Sequence, residues 1–510
     1  MSYDKKRPLA LIILDGWGIS PNPEGNAIAL AHTPYYDEIC ERFPFTTLVA
    51  SGSRVGLPVD APGNAEVGHR TIGAGRIVQT DAARIAGAVA SGDLLRNEVL
   101  VSALGRAAAA ESSVHFVGLL SDGGVHSSQE TLFRLLRMAK LSGVTDAFVH
   151  GILDGRDVQP RTADIYVEAL EIKISDIGIG KIASMCGRFY AMDSTEHWER
   201  TARAFTMMIH GEGERTFDAV TAIRASFLRG ISDEFIAPIV IEQRMDEPMA
   251  TIKDGDLVVF FNHKAEGMHQ LVRSLAVQDA TAAKPKIEAV CLTEYDPSFG
   301  LPVAFGEQEE KNMLATIFDY CGLRNYRITE TSRSRHVSSY LNGRDQAGTY
   351  ENRIILHSDG IESLETGPES RSFKIADSLL RGLDSDRSGV FVVNFPASDL
   401  VSAGGNIDKT VEAIQFVDTC LGGVIEKIKE VNGVAVITSS HAGCEEISEK
   451  KRFSRTPGAT GNPVPFHIVD HENTQVNLAA GGSLEDVAPT MLGILGLNIP
   501  AEMTGRDLRL

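Results

Sequence analysis

Three polar side chains, Asp15, Asp399 and His441, follow predicted β-strands and have the chemistry of metal ligands. Carboxylate oxygens and imidazole nitrogen suit divalent cations of hard or borderline character. Because ligands of open α/β sheets collect beyond the carboxyl ends of the strands, the three residues are candidates for one site. The same residues also allow a plainer interpretation, in which Asp15 caps a turn or helix and His441 is an interior histidine with satisfied hydrogen bonds.

Glycine-rich turns beside polar side chains form a second group of candidates. They cover residues 63–69, 121–126 and 154–157. Glycines let backbone amides approach an anion closely, and Arg156 and Arg188 can hold a phosphate or a carboxylate through paired hydrogen bonds. Each turn alone is a weak signal, because a tight chain reversal that needs a positive φ also favours glycine.

The elements that must position these residues alternate between short β-branched runs and longer amphipathic stretches. The clearest predicted strands cover residues 9–14, 257–261, 288–292, 389–395 and 434–438, and helices are predicted over 26–42 and from Ser483 onward, with Ser483 as the N-cap. This alternation is typical of parallel strands joined by crossover helices, so the predicted fold class is α/β. The length of 510 residues predicts two domains, with residues 80–305 as a candidate insertion.

Composition narrows the classes of partner and compartment. A net charge of −19 disfavours nucleic acid and anionic membranes, which both reward a basic face, and favours a small ligand. The first apolar run has six residues, too few for a signal peptide or a membrane span. Six scattered cysteines without a CxxC pair suit a reducing compartment, and Cys444 is interpreted as a small buried residue. The predicted location is therefore cytoplasmic, with neither a nucleic-acid nor a membrane partner.

Taken in order, these segments resemble the cofactor-independent phosphoglycerate mutase family of the alkaline phosphatase superfamily over essentially the whole chain. The resemblance is carried by residues 14–18 (LDGWG), 25–28, 63–69, 72–76, 118–126, 153–157, 187–193 (GRFYAMD), 462–466 (NPVPF) and 486–490. It implies an alkaline-phosphatase-like domain with a doubly wound sheet, made from residues 1–77 and 309–510. An inserted α/β domain of residues 78–308 would bind the substrate.

The resemblance also implies a chemistry from which this chain departs. Active members interconvert 3-phosphoglycerate and 2-phosphoglycerate through a serine that carries the phosphoryl group, assisted by two divalent metals, usually manganese. At the serine position this chain has Ala65, which offers no oxygen to phosphorylate. Three metal-ligand positions are also changed, namely to Ala403, Ser440 and Ala459, so that Asp15, Asp399 and His441 are the remnant ligands.

Substrate contacts implied by the resemblance are partly kept. They fall at His126, Arg156, Asp157, Arg188, Lys264 and Arg333. Ser194, Lys264 and Gly267 stand where the family has arginines, and Arg333 stands where it has a lysine. Lysine keeps a charge without the bidentate fork, whereas serine and glycine remove the charge. We therefore expect weakened affinity for phosphoglycerate, or preference for a different anion.

These departures predict a catalytically silent or repurposed member that binds a small phosphorylated or carboxylate ligand between its domains. No cofactor is expected to bind with high affinity, and manganese or magnesium would enter only if the remnant ligands still bind metal. The alternative is an active isomerase of 3-phosphoglycerate and 2-phosphoglycerate, or another phosphoryl-transfer enzyme with rearranged chemistry at His69, Ser439, Ser440 or Cys444. The sequence thus leaves open whether the chain is an enzyme.

Overall fold

The computed structural model describes residues 7–277, 284–306, 310–357, 368–447 and 459–510, the first three residues of the fourth range as backbone only. The chain divides into two compact units. The first unit comprises Met1–Thr80 and Glu309–Leu510, and the second unit comprises Asp81–Gln308. Each unit has a β-sheet with helices, as the predicted α/β class requires.

The strands lie in two sheets, one in each unit. In chain order they are β1 Leu9–Leu14, β2 Phe45–Val49, β3 Val114–Leu120, β4 Ala147–Leu153, β5 Lys181–Gly187, β6 Glu214–Thr216, β7 Ile239–Arg244, β8 Glu247–Pro248, β9 Leu257–Phe260, β10 Glu288–Thr293, β11 Val303–Phe305, β12 Asn325–Glu330, β13 Glu351–Leu356, β14 Val390–Phe395, β15 Val434–Thr438, β16 Val464–Val469 and β17 Gly482–Ser483. The five strands predicted from the sequence are β1, β9, β10, β14 and β15, so those predictions are confirmed to within a residue.

The helices connect these strands. They are α1 Ala27–Leu30, α2 Pro34–Arg42, α3 Ala65–Ala74, α4 Asp81–Ser91, α5 Glu98–Ala109, α6 Gln129–Leu141, α7 Ala163–Ile177, α8 Arg188–Ala191, α9 Trp198–His210, α10 Ala219–Leu228, α11 His269–Ala276, α12 Leu314–Tyr320, α13 Pro368–Ser385, α14 Ala397–Ser402, α15 Ile407–Glu430 and α16 Val487–Ile494. Among the described helices, none is both long and apolar enough to cross a membrane.

The predicted single helix over residues 26–42 is wrong, because the chain forms two helices there, α1 and α2. Pro34 has no N–H to donate and disfavours helical backbone at the residue before it, so it begins α2 instead of continuing α1. The predicted N-cap at Ser483 is confirmed, since it forms a capping box with Asp486 at a 3-10 turn that leads into α16.

The sheet of the first unit has the order β13-β12-β14-β1-β15-β16-β2-β17. The strands from β13 to β15 are parallel, and β16 runs antiparallel to both of its neighbours. Alternate residues of β1 belong to different cores: Ala10, Ile12 and Leu14 pack on one face of the sheet. Leu9, Leu11 and Ile13 pack on the other. A strand that is apolar on both faces is typical of a parallel sheet covered by helices on both sides.

The sheet of the second unit has the order β11-β10-β9-β3-β4-β5-β7-β6, with β8 paired to β7. From β11 to β5 all neighbours are parallel. Every residue of β3 and β4 is buried, again as expected for a sheet with two covered faces. The carboxyl ends of β3, β4, β5 and β9 therefore meet along one edge of this sheet.

Candidate functional site

Three neighbouring parallel strands of the first unit direct polar residues to one edge of the sheet. Asp15 comes directly after β1, Asp399 lies on α14 just after β14, and His441 follows β15. All three side chains are buried. The structure thus brings together the three residues that the sequence singles out as remnant metal ligands.

A chain of hydrogen bonds connects these residues through Ser440. The Ser440 hydroxyl donates to Oδ1 of Asp15 and lies 2.9 Å from Nδ1 of His441. Nε2 of His441 lies 2.9 Å from Oδ1 of Asp399. Burial lowers the pKa of His441, but its ion pair and hydrogen bond with Asp399 raise that pKa more, so the net shift is upward. A raised pKa favours the imidazolium form, in which both ring nitrogens donate hydrogen bonds.

A second cation, the guanidinium of Arg333, lies at the same carboxylates. Its Nη2 hydrogen bonds to Oδ2 of Asp399, and its Nε lies 3.8 Å from Oδ2 of Asp15. Burial raises the pKa of Asp399, but the ion pairs and hydrogen bonds from His441 and Arg333 lower it well below its usual range. The negative charges of the site are thus neutralised by groups of the protein itself.

The donor set does not fit a divalent cation. In the part of the chain that the structure describes, no group of three or more His, Cys, Asp or Glu side chains is arranged to hold a metal ion. Both oxygens of Asp399 and both nitrogens of His441 already have hydrogen-bond partners. Ala403, at the end of α14, offers no ligand atom, and neither does Ala459. A metal would have to displace Arg333 from Asp399 and separate His441 from its present hydrogen-bond partners before it could bind.

Ala65 begins α3 next to this network, and it has only a methyl group where a nucleophile would be needed. Four residues on, Nδ1 of His69 donates to the Ala65 carbonyl at 2.8 Å, which leaves Nε2 as an acceptor 3.9 Å from Asp15. Burial lowers the pKa of His69, so the ring is neutral. Four polar atoms of this cluster are buried and have no hydrogen-bond partner among the described residues: His69 Nε2, Asp15 Oδ2, Arg333 Nε and His336 Nδ1.

His336 is a member of this cluster that the sequence analysis missed. Its ring packs edge-on against His69 with centroids 5.3 Å apart, and Nε2 lies 3.5 Å from Nη1 of Arg333. Burial, reinforced by His69 and Arg333, lowers the pKa of His336 to about 2. A π-helical turn, His336–Tyr340, places the ring there, and no sequence motif marks such a turn.

The surroundings of Cys444 and Ser439 favour a role in holding the fold for both residues. Cys444 is fully buried, and burial together with Asp399 and Glu445 raises the pKa of its thiol well above the usual value, so it is no thiolate nucleophile. The Ser439 hydroxyl donates to the His441 carbonyl at 2.6 Å and accepts from the Trp17 amide. Its role is to hold the turn after β15.

The second unit contains a cavity of about 450 Å³ at the carboxyl ends of its parallel strands. Its lining includes five of the six predicted substrate contacts, namely His126, Arg156, Asp157, Arg188 and Lys264. Ser194 and Gly267, at positions where arginines were expected, also line it. The sixth predicted contact, Arg333, belongs to the first unit, where it pairs with Asp399.

Asp154 organises one wall of this cavity from a fully buried position after β4. It accepts hydrogen bonds from the amides of Arg156 and Asp157 and from the Ser121 hydroxyl. Nη1 of Arg188 lies 2.8 Å from Asp154 and 2.9 Å from Asp157, so the guanidinium is fixed by two carboxylates. Burial and Asp154 raise the pKa of Asp157 against the opposing effect of Arg188.

His126 contributes a neutral imidazole to the same cavity. Burial, Arg188 and Lys264 lower its pKa to about 4, and its buried Nδ1 has no hydrogen-bond partner among the described residues. A neutral imidazole has one donor and one acceptor nitrogen, so the ring can exchange a hydrogen bond with a bound ligand. The cavity thus combines fixed cations with a neutral imidazole, the kind of polar lining that a small-molecule site has.

Known phosphoglycerate mutases are similar to this chain over both of its units. The family model for the N-terminal part of BPG-independent phosphoglycerate mutases matches residues 85–297. The 2,3-bisphosphoglycerate-independent phosphoglycerate mutase of Clostridium perfringens is 39% identical over 508 residues, covering 99% of each chain. That of Moorella thermoacetica is 40% identical over 514 residues, covering 100% of this chain and 99% of the other. A crystal structure of Leishmania mexicana phosphoglycerate mutase at low cobalt concentration superposes with a TM-score of 0.73 at 26% identity, covering 99% and 98%.

Proposed function

The chain belongs to the 2,3-bisphosphoglycerate-independent phosphoglycerate mutase family, and from that premise we propose that it is a catalytically silent or repurposed member. It binds a small phosphorylated or carboxylate ligand in the cavity of its second unit. It needs no metal for this role, and it acts in the cytoplasm without a nucleic-acid or membrane partner. The named relatives support a mutase-like protein, and the residues of this chain support the loss of the mutase reaction.

The observation that carries the proposal is the combination of Ala65 with Arg333. Covalent phosphoryl transfer needs an oxygen nucleophile and a cation that clamps the transferring group. Ala65 supplies no oxygen, and Arg333 with His441 already neutralises the carboxylates to which a metal would bind. Because both requirements of the reaction are unmet at one place, restoring either alone is not expected to restore turnover.

The proposal is tested by an enolase-coupled assay on purified protein with 3-phosphoglycerate and added manganese or magnesium. The Clostridium perfringens relative serves as the positive control. We expect no turnover above the rate without protein. Robust formation of 2-phosphoglycerate at a rate proportional to protein concentration would refute the proposal.

A second candidate function is phosphoryl transfer through Ser440, which the hydrogen-bonded series Ser440, His441 and Asp399 favours. The spacing of 2.9 Å on both sides of the imidazole resembles a serine, histidine and aspartate relay. The raised pKa of His441 opposes this function, because it favours the imidazolium form, and that form cannot accept the serine proton. Incubation with 32P-labelled phosphoglycerate distinguishes the two functions: a phosphoenzyme lost in Ser440→Ala would establish the second and exclude the first.

A further inference from the structure

The cavity of the second unit has a balanced charge. Four basic and four acidic side chains line it. His126 adds no charge near neutral pH, because its pKa is lowered to about 4. Of the three lining positions where the family resemblance leads to an expectation of arginine, only Lys264 is basic, and the others are Ser194 and Gly267. A cavity with this balance does not attract a ligand that is anionic at every polar group.

Most of these charges are already paired within the cavity. Ion pairs join Arg188 to Asp157 at 2.9 Å, Arg200 to Asp193 at 2.8 Å and Lys264 to Glu266 at 2.6 Å. Arg200 also stacks over the Phe189 ring at 4.1 Å, which further fixes its guanidinium. These pairs set the shape of the lining and leave little net charge for a ligand.

Two opposite charges of the lining, Arg156 and Glu234, remain open to a ligand. In the described parts of the chain, neither side chain has a hydrogen bond or an ion pair within 4 Å, although the charge of Arg156 lowers the pKa of Asp157 and of Glu266 from a longer distance. Arg156 lies on the loop after β4, whose backbone amides are held by Asp154. A guanidinium in this setting can take a phosphate or carboxylate through two parallel hydrogen bonds.

The carboxylate of Glu234 is presented by a rigid support. It lies on a 3-10 turn, Asp233–Phe235, whose first residue accepts hydrogen bonds from the amides of Thr162 and Ala163 at 3.0 and 2.6 Å. Directly after the turn, the carbonyl of Ile236 accepts a hydrogen bond from the Gly187 amide at 2.8 Å. Gly187 directly precedes Arg188, so Glu234 is tied to the wall that carries the fixed guanidinium.

We propose that this cavity takes a small zwitterion, in which an anionic group pairs with Arg156 and an ammonium group pairs with Glu234. This inference rests on the proposed function only for the assignment of the ligand to this cavity. An entirely anionic ligand would lose the hydration of its second anion without gaining a free cation, whereas an ammonium group gains a charged hydrogen bond to Glu234.

A matched pair of probes tests the proposal by isothermal titration calorimetry on the full chain. O-phosphoserine and 3-phosphoglycerate share one skeleton with a phosphate and a carboxylate, and they differ in an ammonium against a hydroxyl group at the central carbon. The cost of placing a second anion in the cavity is therefore common to both probes, and their difference in affinity reports the ammonium group. Inorganic phosphate is the third probe. A charged hydrogen bond predicts that phosphoserine binds about tenfold to a hundredfold more tightly than 3-phosphoglycerate.

Variants assign this preference to its residues. Glu234→Gln keeps the size of the side chain and removes its charge, so the affinities for phosphoserine and 3-phosphoglycerate should become equal. Arg156→Gln should weaken both affinities by a similar factor. Glu247→Gln, at a glutamate of the same unit that does not line the cavity, is the matched control and should leave the preference unchanged.

The outcomes separate this inference from the proposed function. Equal binding of the two probes by the wild-type protein, tighter binding of 3-phosphoglycerate, or an unchanged preference in Glu234→Gln overturns the zwitterion and leaves ligand binding intact. Failure of all three probes to bind overturns both statements. Turnover of 3-phosphoglycerate would overturn the proposed function alone, since the affinity ratio is measured independently.

Discussion

Replacing Arg333 with methionine removes the cation that lies at two buried carboxylates. The guanidinium bonds to Asp399 and lies 3.8 Å from Asp15, and the Arg333 side chain is only 18% exposed. Removing one partner of a buried ion pair destabilises a protein by about 3–5 kcal/mol, because the remaining charge is left without compensation. His441 stays beside Asp399, so we expect a loss near the lower limit, about 3 kcal/mol in the free energy of unfolding.

Tryptophan fluorescence during urea unfolding measures this loss of stability in the first unit, which contains Arg333. The chain has two tryptophans. Trp17 is fully buried two residues from Asp15, whereas Trp198 lies in the second unit. In a Trp198→Phe background the signal therefore reports the first unit alone. Arg381→Met is the matched control, because Arg381 is 80% exposed in its ion pair, and such pairs contribute no more than about 1 kcal/mol.

Adding manganese to the same unfolding experiment tests whether a divalent cation can replace the charge of Arg333. Once Arg333 is gone, the two carboxylates have lost a positive charge that a divalent cation can replace, so manganese should stabilise Arg333→Met against urea. The wild-type protein should show no such shift. The reasoning is refuted if Arg333→Met unfolds at the wild-type urea concentration, or if manganese stabilises the wild-type protein as much as the variant.

Three further predictions concern packing, pH and thiol reactivity. Gly68→Ala should destabilise the first unit by about 1–3 kcal/mol, since a Cβ there would lie 2.0 Å from the Ser440 carbonyl oxygen. A Cβ at Gly87 in α4 would meet nothing within 4 Å, so Gly87→Ala should stabilise the second unit by about 0.5–1 kcal/mol. Urea unfolding measures both changes. Burial lowers the pKa of His263 to about 4, whereas its value in the unfolded chain is about 6.5, so between these values only the unfolded state binds the proton. Lowering the pH from 7 to 5 should therefore reduce the free energy of unfolding by about 2 kcal/mol through His263. In His263→Gln this part of the loss should be absent. Cys40 and Cys321 are exposed and should react with Ellman's reagent in the folded protein, while the other four thiols react only after unfolding.

The strands and the edge of the sheet that carries the site could be predicted from the sequence. Short apolar runs indicate buried parallel strands, and a polar residue just after such a run lies at the carboxyl edge of the sheet. For this reason the sequence predicts that Asp15, Asp399 and His441 lie together. The break between α1 and α2 was missed because helical spacing of apolar residues continues across Pro34. Backbone restriction by proline outweighed that spacing.

The counter-ions of the site could not be predicted in the same way. Arg333 and His336 reach Asp15 and His69 from a 3-10 turn and a π-helical turn after β12, and the side-chain directions of such turns follow from tertiary packing. Likewise, the residue types of Arg156 and Glu234 give no indication that both stay unpaired while the other charges of the cavity pair with one another. Pairing depends on distances across loops, which the spacing along the chain does not fix.

The most direct test of the account is 31P NMR of 3-phosphoglycerate incubated overnight with the purified protein and excess manganese, which a chelating resin removes before the spectrum is recorded because the paramagnetic ion broadens 31P signals. Because every phosphorylated product has its own signal, the spectrum detects slow isomerisation, phosphate release and transfer alike. The loss of the nucleophile at Ala65 and the occupation of Asp399 by Arg333 predict that only 3-phosphoglycerate is present at the end. Growth of a 2-phosphoglycerate signal toward equilibrium would contradict the account.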